Sequence, residues 1–126
     1  MKYTKEQLAW MSDYEINGAI EKVRLIDVRP DATDVYFDDT EGCVWYHHNE
    51  KIKSQRVLEY CSNWSATGPL MVEYGVSFIK EVGAEAFACA EPWADYTGGI
   101  SNQFESSNKN PLRAICEVIL MTGGKP

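Results

Sequence analysis

The clearest hydrophobic pattern in the chain is helical and lies in residues 110–124. Its apolar side chains share one helix face at Leu112, Ile115, Cys116, Ile119 and Leu120. Asn110 is a favourable N-cap, Pro111 suits the first helical position, and Gly123 supplies the exit. This predicts a last helix that is apolar around most of its circumference. Such a helix in turn predicts a homo-oligomer that uses it or an adjacent sheet edge.

An earlier helix is indicated by residues 12–15, which have the form of a capping box. The predicted helix runs from about Asp13 to Lys22. Gly18 weakens this helix and would permit a close approach by another backbone. Residues 1–11 are predicted to be a loosely packed lead-in. Three large residues in it still require apolar contacts: Leu8, Trp10 and Met11.

Alternating apolar and branched residues then predict strands. Residues 23–28 suggest a first strand that is closed by Pro30. Residues 35–37 and 43–47 predict a hairpin, because aromatic and branched side chains fit a half-buried sheet. Residues 38–42, which end in glycine, have the composition of the turn between them.

The middle of the chain has a less regular pattern. Residues 49–60 are ambiguous and are interpreted as a polar connection that ends in a short extended piece. Ser65 and Thr67 favour the start of a further helix, with Pro69 in its first turn and Gly75 at its end.

Two more strands and a long loop precede the last helix. Residues 76–79 predict a strand, and residues 84–90 predict its hairpin partner. Residues 92–109 predict a long loop that contains Trp93 and Tyr96. Together these elements predict a single α+β domain, with a mainly antiparallel sheet of about five strands covered by three helices.

Composition narrows the classes of protein. The chain has 126 residues and a net charge of −7, which argues against direct nucleic-acid binding. No apolar stretch approaches the roughly 20 residues that span a membrane, and no signal peptide is apparent. A cytoplasmic protein with free thiols is expected, because the four cysteines lack metal or redox spacing. They are Cys43, Cys61, Cys89 and Cys116.

Recognisable catalytic and cofactor motifs are missing from the sequence. His47 and His48 are adjacent on a predicted strand and so point to opposite faces, which disfavours a shared metal. No nucleophile–base order or phosphate-binding glycine loop is present. We therefore expect neither an enzyme nor a cofactor or metal, although an enzyme without a recognisable motif is a third alternative.

Three segments resemble the phage NinX family, small accessory proteins of tailed bacteriophages of enterobacteria and their relatives. They are residues 12–17, residues 60–77 and residues 110–114 together with the apolar helix that follows, in the family's order and covering about a third of the chain. The resemblance implies a phage accessory protein, but the family has no established activity. The layout is also distantly similar to small phage domains such as the Thoeris anti-defence proteins, which sequester nucleotide-derived immune signals of the host.

Candidate binding residues occur at two predicted helix starts. Asn63, Trp64 and Ser65 precede one helix, where free amides attract an anion and an indole stacks on a ring. The alternative is helix capping with a core tryptophan. Arg113 lies in the first turn of the last helix, where a cation opposes the helix dipole. It either binds a phosphate or carboxylate, or pairs with Glu117 or another carboxylate.

These observations lead to one functional hypothesis and a rival. We expect a non-enzymatic phage protein of the host cytoplasm that sequesters a small anionic, nucleotide-derived host molecule to counter host defence. Its predicted site is Arg113, Asn63, Trp64, Ser65, Trp93 and Tyr96. The rival is an acidic protein-binding module that inhibits a host protein.

Overall fold

A computed structural model describes residues 2–90 and 104–124 of the chain. The fold is α+β, as predicted. Within the described ranges, however, the strands form two separate three-stranded antiparallel sheets instead of one sheet of five, and there are four helices instead of three. Each sheet is a local meander of consecutive strands, and α3 separates the two in sequence.

The elements have the following bounds: α1 Lys5–Ala9, α2 Asp13–Val28, β1 Thr33–Asp38, β2 Cys43–His48, β3 Lys51–Arg56, α3 Trp64–Tyr74, β4 Val76–Ile79, β5 Ala86–Ala90, β6 Phe104–Asn108 and α4 Pro111–Thr122. Sheet 1 has the strand order β1-β2-β3, and sheet 2 has the order β4-β5-β6. All four neighbouring strand pairs are antiparallel.

Helix α4 is the centre of the main core. Its predicted start is confirmed, since the Asn110 side chain accepts a hydrogen bond from Leu112 N–H at 3.0 Å. Every residue from Ala114 to Met121 is buried. Sheet 2 packs closely on one side of α4, while α2 and α3 contact it elsewhere. The chain itself therefore fills the apolar circumference of α4, and this feature no longer argues for an oligomer.

Helix α2 begins as predicted and continues beyond the predicted end. Ser12 and Glu15 form the expected capping box. The helix extends to Val28, so the strand predicted for residues 23–28 is wrong. Val23 is buried in the main core, whereas Leu25 packs in a second, smaller core against sheet 1. Because apolar residues of α2 are buried on two sides of the helix, their spacing in the sequence resembles the alternation of a strand.

Sheet 1 contains the predicted hairpin and one strand that the pattern left ambiguous. The turn between β1 and β2 ends at Gly42, which has a φ of 70°. β3 follows β2 through Asn49 and Glu50, whose φ values of 51° and 62° suit a tight two-residue turn. β3 is an edge strand that is largely exposed on both faces, and Ile52 is its one apolar residue, so its sequence carries no apolar alternation.

Smaller differences concern the other elements. Instead of a loose lead-in, α1 has its own capping box and buries Leu8, whereas Trp10 is 89% exposed. β6 lies inside the predicted loop 92–109. α3 begins under an Asn63 cap, and Pro69 lies within the helix and not in its first turn.

A polar network crosses the interior between α2 and the segment before α3. The Tyr60 hydroxyl donates to Glu21 Oε2 at 2.9 Å and accepts from Arg24 Nη1 at 2.8 Å. Glu21 is only 1% exposed and Tyr60 is fully buried. A buried carboxylate is thus satisfied by a hydroxyl and a cation, as such groups require. A similar contact joins Tyr74 to Asp27 at 2.6 Å.

We expect the protein to lose stability steeply above about pH 10. Burial raises the pKa of Tyr60 and Tyr74 above the ordinary tyrosine value. The folded state then holds these protons more tightly, so the stabilisation is complete below the unfolded pKa and is lost as pH rises through the folded pKa. Urea unfolding at a series of pH values measures this slope. Tyr74→Phe should flatten this slope relative to the parent protein, and a slope equal to that of the parent would contradict the assignment.

Candidate functional site

The predicted site residues are divided between two cavities. Asn63 and Ser65 line a cleft between sheet 1 and α3, here called the α3 cleft. Arg113 lines a different cavity between α1, β6 and α4, here called the α1 cavity. Trp93 and Tyr96 lie outside the residues that the structure describes. The structure therefore does not bring Arg113 together with the residues at the start of α3.

The α3 cleft has a volume of about 1130 Å³. Its walls are the N-terminal part of α2, the β1–β2 turn, one end of β3 and the start of α3. Its charged lining groups are one cation and two carboxylates, Arg56, Glu41 and Glu59. Its uncharged polar lining includes Tyr14, Asn17, Ser54, Ser62, Asn63 and Ser65. The cleft is thus large, mixed in charge and rich in hydrogen-bonding groups.

The start of α3 is capped by the protein itself. The Asn63 side chain accepts from Ser65 N–H at 2.9 Å, and the Asn63 carbonyl accepts from Ala66 and Thr67 N–H at 3.1 Å. The helix therefore acts on the cleft mainly through its dipole and only weakly through free amides. Arg56 becomes the group best suited to hold an anion there.

Trp64 lies beside the α3 cleft and does not line it. Its ring packs on Phe78 with the centroids 5.4 Å apart and the planes tilted by 39°. The side chain is 48% exposed. Trp64 is consequently neither a fully buried core residue nor a wall of the cleft.

Arg113 joins three parts of the chain. Its Nη1 donates to Asp13 Oδ1 at 2.7 Å, and its Nη2 donates to the carbonyls of Leu8 and Met11 at 2.9 and 2.7 Å. Its Nε is 3.8 Å from Glu117 Oε2. The two terminal nitrogens of the guanidinium are therefore occupied by the protein's own groups, whereas the buried Nε has no hydrogen-bond partner among the described residues. This geometry matches the alternative that Arg113 pairs with Glu117 or another carboxylate.

The α1 cavity has a volume of about 700 Å³ and contains the exposed edge of this network. Burial raises the pKa of Glu117, while a hydrogen bond from Ser106 Oγ at 3.1 Å and the nearby Arg113 oppose that shift. Lys5 lines the same cavity and pairs with Glu105 at 3.7 Å. Its cations are therefore balanced by carboxylates within the cavity or at its rim.

Sequence reasoning missed the residues that give the α3 cleft its charge. Arg56 stands at the end of β3, in the segment left ambiguous, while Glu41 belongs to the β1–β2 turn. A signal was present, since residues 51–56 contain three cations and no carboxylate in an acidic chain. What the sequence lacks is any sign that this strand faces the start of α3.

The described residues offer no cluster suited to a metal, and two of their thiols lie close together. Across residues 2–90 and 104–124, no group of three or more His, Cys, Asp or Glu side chains is placed to hold a metal. No disulfide joins any of the four cysteines, all of which lie within the described residues, as predicted. Cys61 and Cys116 are both buried and lie next to each other. The hydrogen bond between them raises the pKa of Cys116 well above its ordinary value, and burial adds to this shift.

Comparison of the chain with protein-family models, with curated proteins and with solved structures finds no match. Among the helices that the structure describes, none combines the length and the apolar character needed to cross a bilayer.

Proposed function

We propose that the protein is a non-enzymatic binding protein that sequesters a small anionic, nucleotide-derived molecule in the α3 cleft. The observation that carries this proposal is the cleft itself, with a volume of about 1130 Å³ and a polar lining around one cation, Arg56. Small-molecule sites in proteins typically have volumes of roughly 300–1,000 Å³, so a nucleotide fits within it.

The lining favours a ligand with two kinds of polar group. Arg56 can hold a phosphate through two parallel hydrogen bonds, and the dipole of α3 favours negative charge on the same side. Glu41 and Glu59 repel a second anion but accept hydrogen bonds from hydroxyl or amino groups. A phosphate attached to a sugar and a base supplies both kinds of group, whereas inorganic phosphate supplies only the first.

The biological setting of this proposal comes from the sequence. Resemblance to the NinX family supports a bacteriophage accessory protein that acts in the host cytoplasm. The layout similarity to phage proteins that capture nucleotide-derived immune signals supports sequestration to counter host defence. Release of an unchanged ligand on heating, followed by mass spectrometry, distinguishes sequestration from turnover.

We expect saturable binding of at least one nucleotide in a panel of AMP, ADP-ribose, NAD and a cyclic dinucleotide, measured by calorimetry. Arg56→Gln should weaken that binding at least tenfold, because a hydrogen bond to a charged group contributes about 1.5–3 kcal/mol. Lys51→Gln is the matched control, since Lys51 is an exposed cation of the same strand that does not line the cleft. A nucleotide affinity that is unchanged in Arg56→Gln, or no binding of any nucleotide in the panel, would overturn the proposal.

A further inference from the structure

Strand β3 is an exposed edge of sheet 1. It pairs with β2 on one side over six consecutive residues, from Lys51 opposite His48 to Arg56 opposite Cys43, without a register shift. β2 is the only element of the described chain that contacts β3 extensively. An edge of this kind presents a row of backbone N–H and C=O groups that another strand can use.

The charge of β3 is opposite to that of the protein. Lys51, Lys53 and Arg56 lie within six residues that include no carboxylate, while the whole chain carries a net charge of −7. None of these three cations forms an ion pair within residues 2–90 and 104–124. Ile52 lies on the same strand and is 68% exposed, so it leaves an apolar group available to a partner.

From these observations we infer that the β3 edge binds an acidic, extended segment of a partner protein, which adds to sheet 1 as a fourth strand. Backbone hydrogen bonds supply affinity in such complexes, and alternate side chains supply specificity. Lysines on an edge strand discourage pairing with neutral or basic strands. The same charges favour a strand whose carboxylates lie opposite them. Of the three cations, Arg56 also lines the α3 cleft, whereas Lys51 and Lys53 do not, so the two lysines separate this inference from the proposed nucleotide site.

A second copy of this chain fits the β3 edge poorly. The acidic strand available for pairing in a second copy is β1, at the other edge of sheet 1. Its register shifts between Thr33 and Tyr36, and Asp34 has a φ of 53°, so β1 does not offer a regular edge. Two copies also repel each other through their net negative charge.

The experiment uses a labelled eight-residue peptide that alternates glutamate and valine, with binding followed by fluorescence anisotropy at low salt. Two control peptides separate the causes of binding. One alternates lysine and valine, and the other keeps the glutamates but carries N-methyl groups on alternate backbone amides. We expect saturable binding of the first peptide alone, weakened by 0.5 M salt.

Variants of the protein locate the binding site. The double substitution Lys51→Gln and Lys53→Gln should weaken peptide binding about fivefold, in line with two exposed ion pairs. The matched control is Lys2→Gln with Lys109→Gln, which removes the same charge from exposed positions outside sheet 1 and should leave affinity unchanged. Both β3 lysines are absent from the α3 cleft lining, so nucleotide binding by the double variant should be retained.

Several results would overturn the inference. Equal binding of the N-methylated peptide would show simple charge attraction without strand addition. Tighter binding of a DNA duplex than of the acidic peptide would assign the edge to phosphate. A dimer detected by light scattering that dissociates in the double variant would show that the β3 edge binds a second copy of the chain. The absence of saturable peptide binding would exclude the docking site.

Discussion

Replacing Arg113 by alanine is expected to lower the free energy of unfolding by about 3 kcal/mol, because one carboxylate and two backbone carbonyls lose a charged, partly buried donor. The side chain is 13% exposed and donates to Asp13, Leu8 and Met11. Its removal also leaves the buried Glu117 carboxylate without the cation 3.8 Å away. The affected contacts connect α1, the start of α2 and α4. Urea unfolding measured by far-UV circular dichroism gives the loss directly.

Two further substitutions test the cause of that loss. Arg113→Lys keeps the charge but not the planar, forked set of donors, so most of the loss should remain. Arg56→Ala is the matched control, because it removes an exposed arginine without an ion pair among the described residues and should change stability by less than about 0.5 kcal/mol. An Arg113→Ala protein as stable as the parent would show that the three hydrogen bonds are energetically unimportant.

Gly18→Ala is expected to destabilise the protein by about 1–2 kcal/mol, although alanine is the better helix former. A Cβ at this position would lie 2.5 Å from Phe37 Cδ2 and 2.6 Å from Phe37 Cγ. Phe37 belongs to β1 and packs in the second core against α2, and its ring also contacts Tyr14 at a centroid distance of 5.2 Å. The ring can yield only by disturbing these contacts.

The sign of this effect should reverse when the ring is absent. In a Phe37→Ala background the added methyl group meets no ring, and Gly18→Ala should then stabilise the protein by up to about 1 kcal/mol through helix propensity alone. Urea unfolding of the two single variants, the double variant and the parent gives the coupling energy. A stabilising effect in both backgrounds would contradict the close approach of Phe37.

Local signals in the sequence predicted the starts of α2 and α4 and the two hairpins, whereas α1 was missed and α3 begins earlier than predicted. The capping box at Ser12, the Asn110 cap and the glycine at 42 act through neighbours within a few residues, so their effect is visible in the sequence. The α+β class follows from these elements. The division into two sheets does not follow from local signals, because it depends on which helix each three-stranded meander packs against.

The candidate site was harder to predict because its contacts are long-range. The partner of Arg113, Asp13, is 100 residues away in sequence, and nothing local distinguishes that ion pair from a phosphate site. Asn63 and Ser65 do lie at the start of α3 and line a cleft, although Asn63 is the cap and Ser65 is already within the helix. Their neighbour across the cleft, Arg56, came from a strand whose polar pattern is typical of an edge.

The position of α4 at the centre of the core also constrains the order of events during synthesis. Leu8 and Ile16, made early, are buried in the same cluster as α4, and Tyr3 N–H donates to the Leu120 carbonyl at 3.1 Å. A nascent chain that has not yet reached α4 leaves those apolar groups without their partner. Contacts across such long sequence separations slow folding and prolong the exposure of apolar surface. The main core therefore cannot form until residues 111–122 have been synthesised. Until then the exposed apolar groups of incomplete chains favour aggregation.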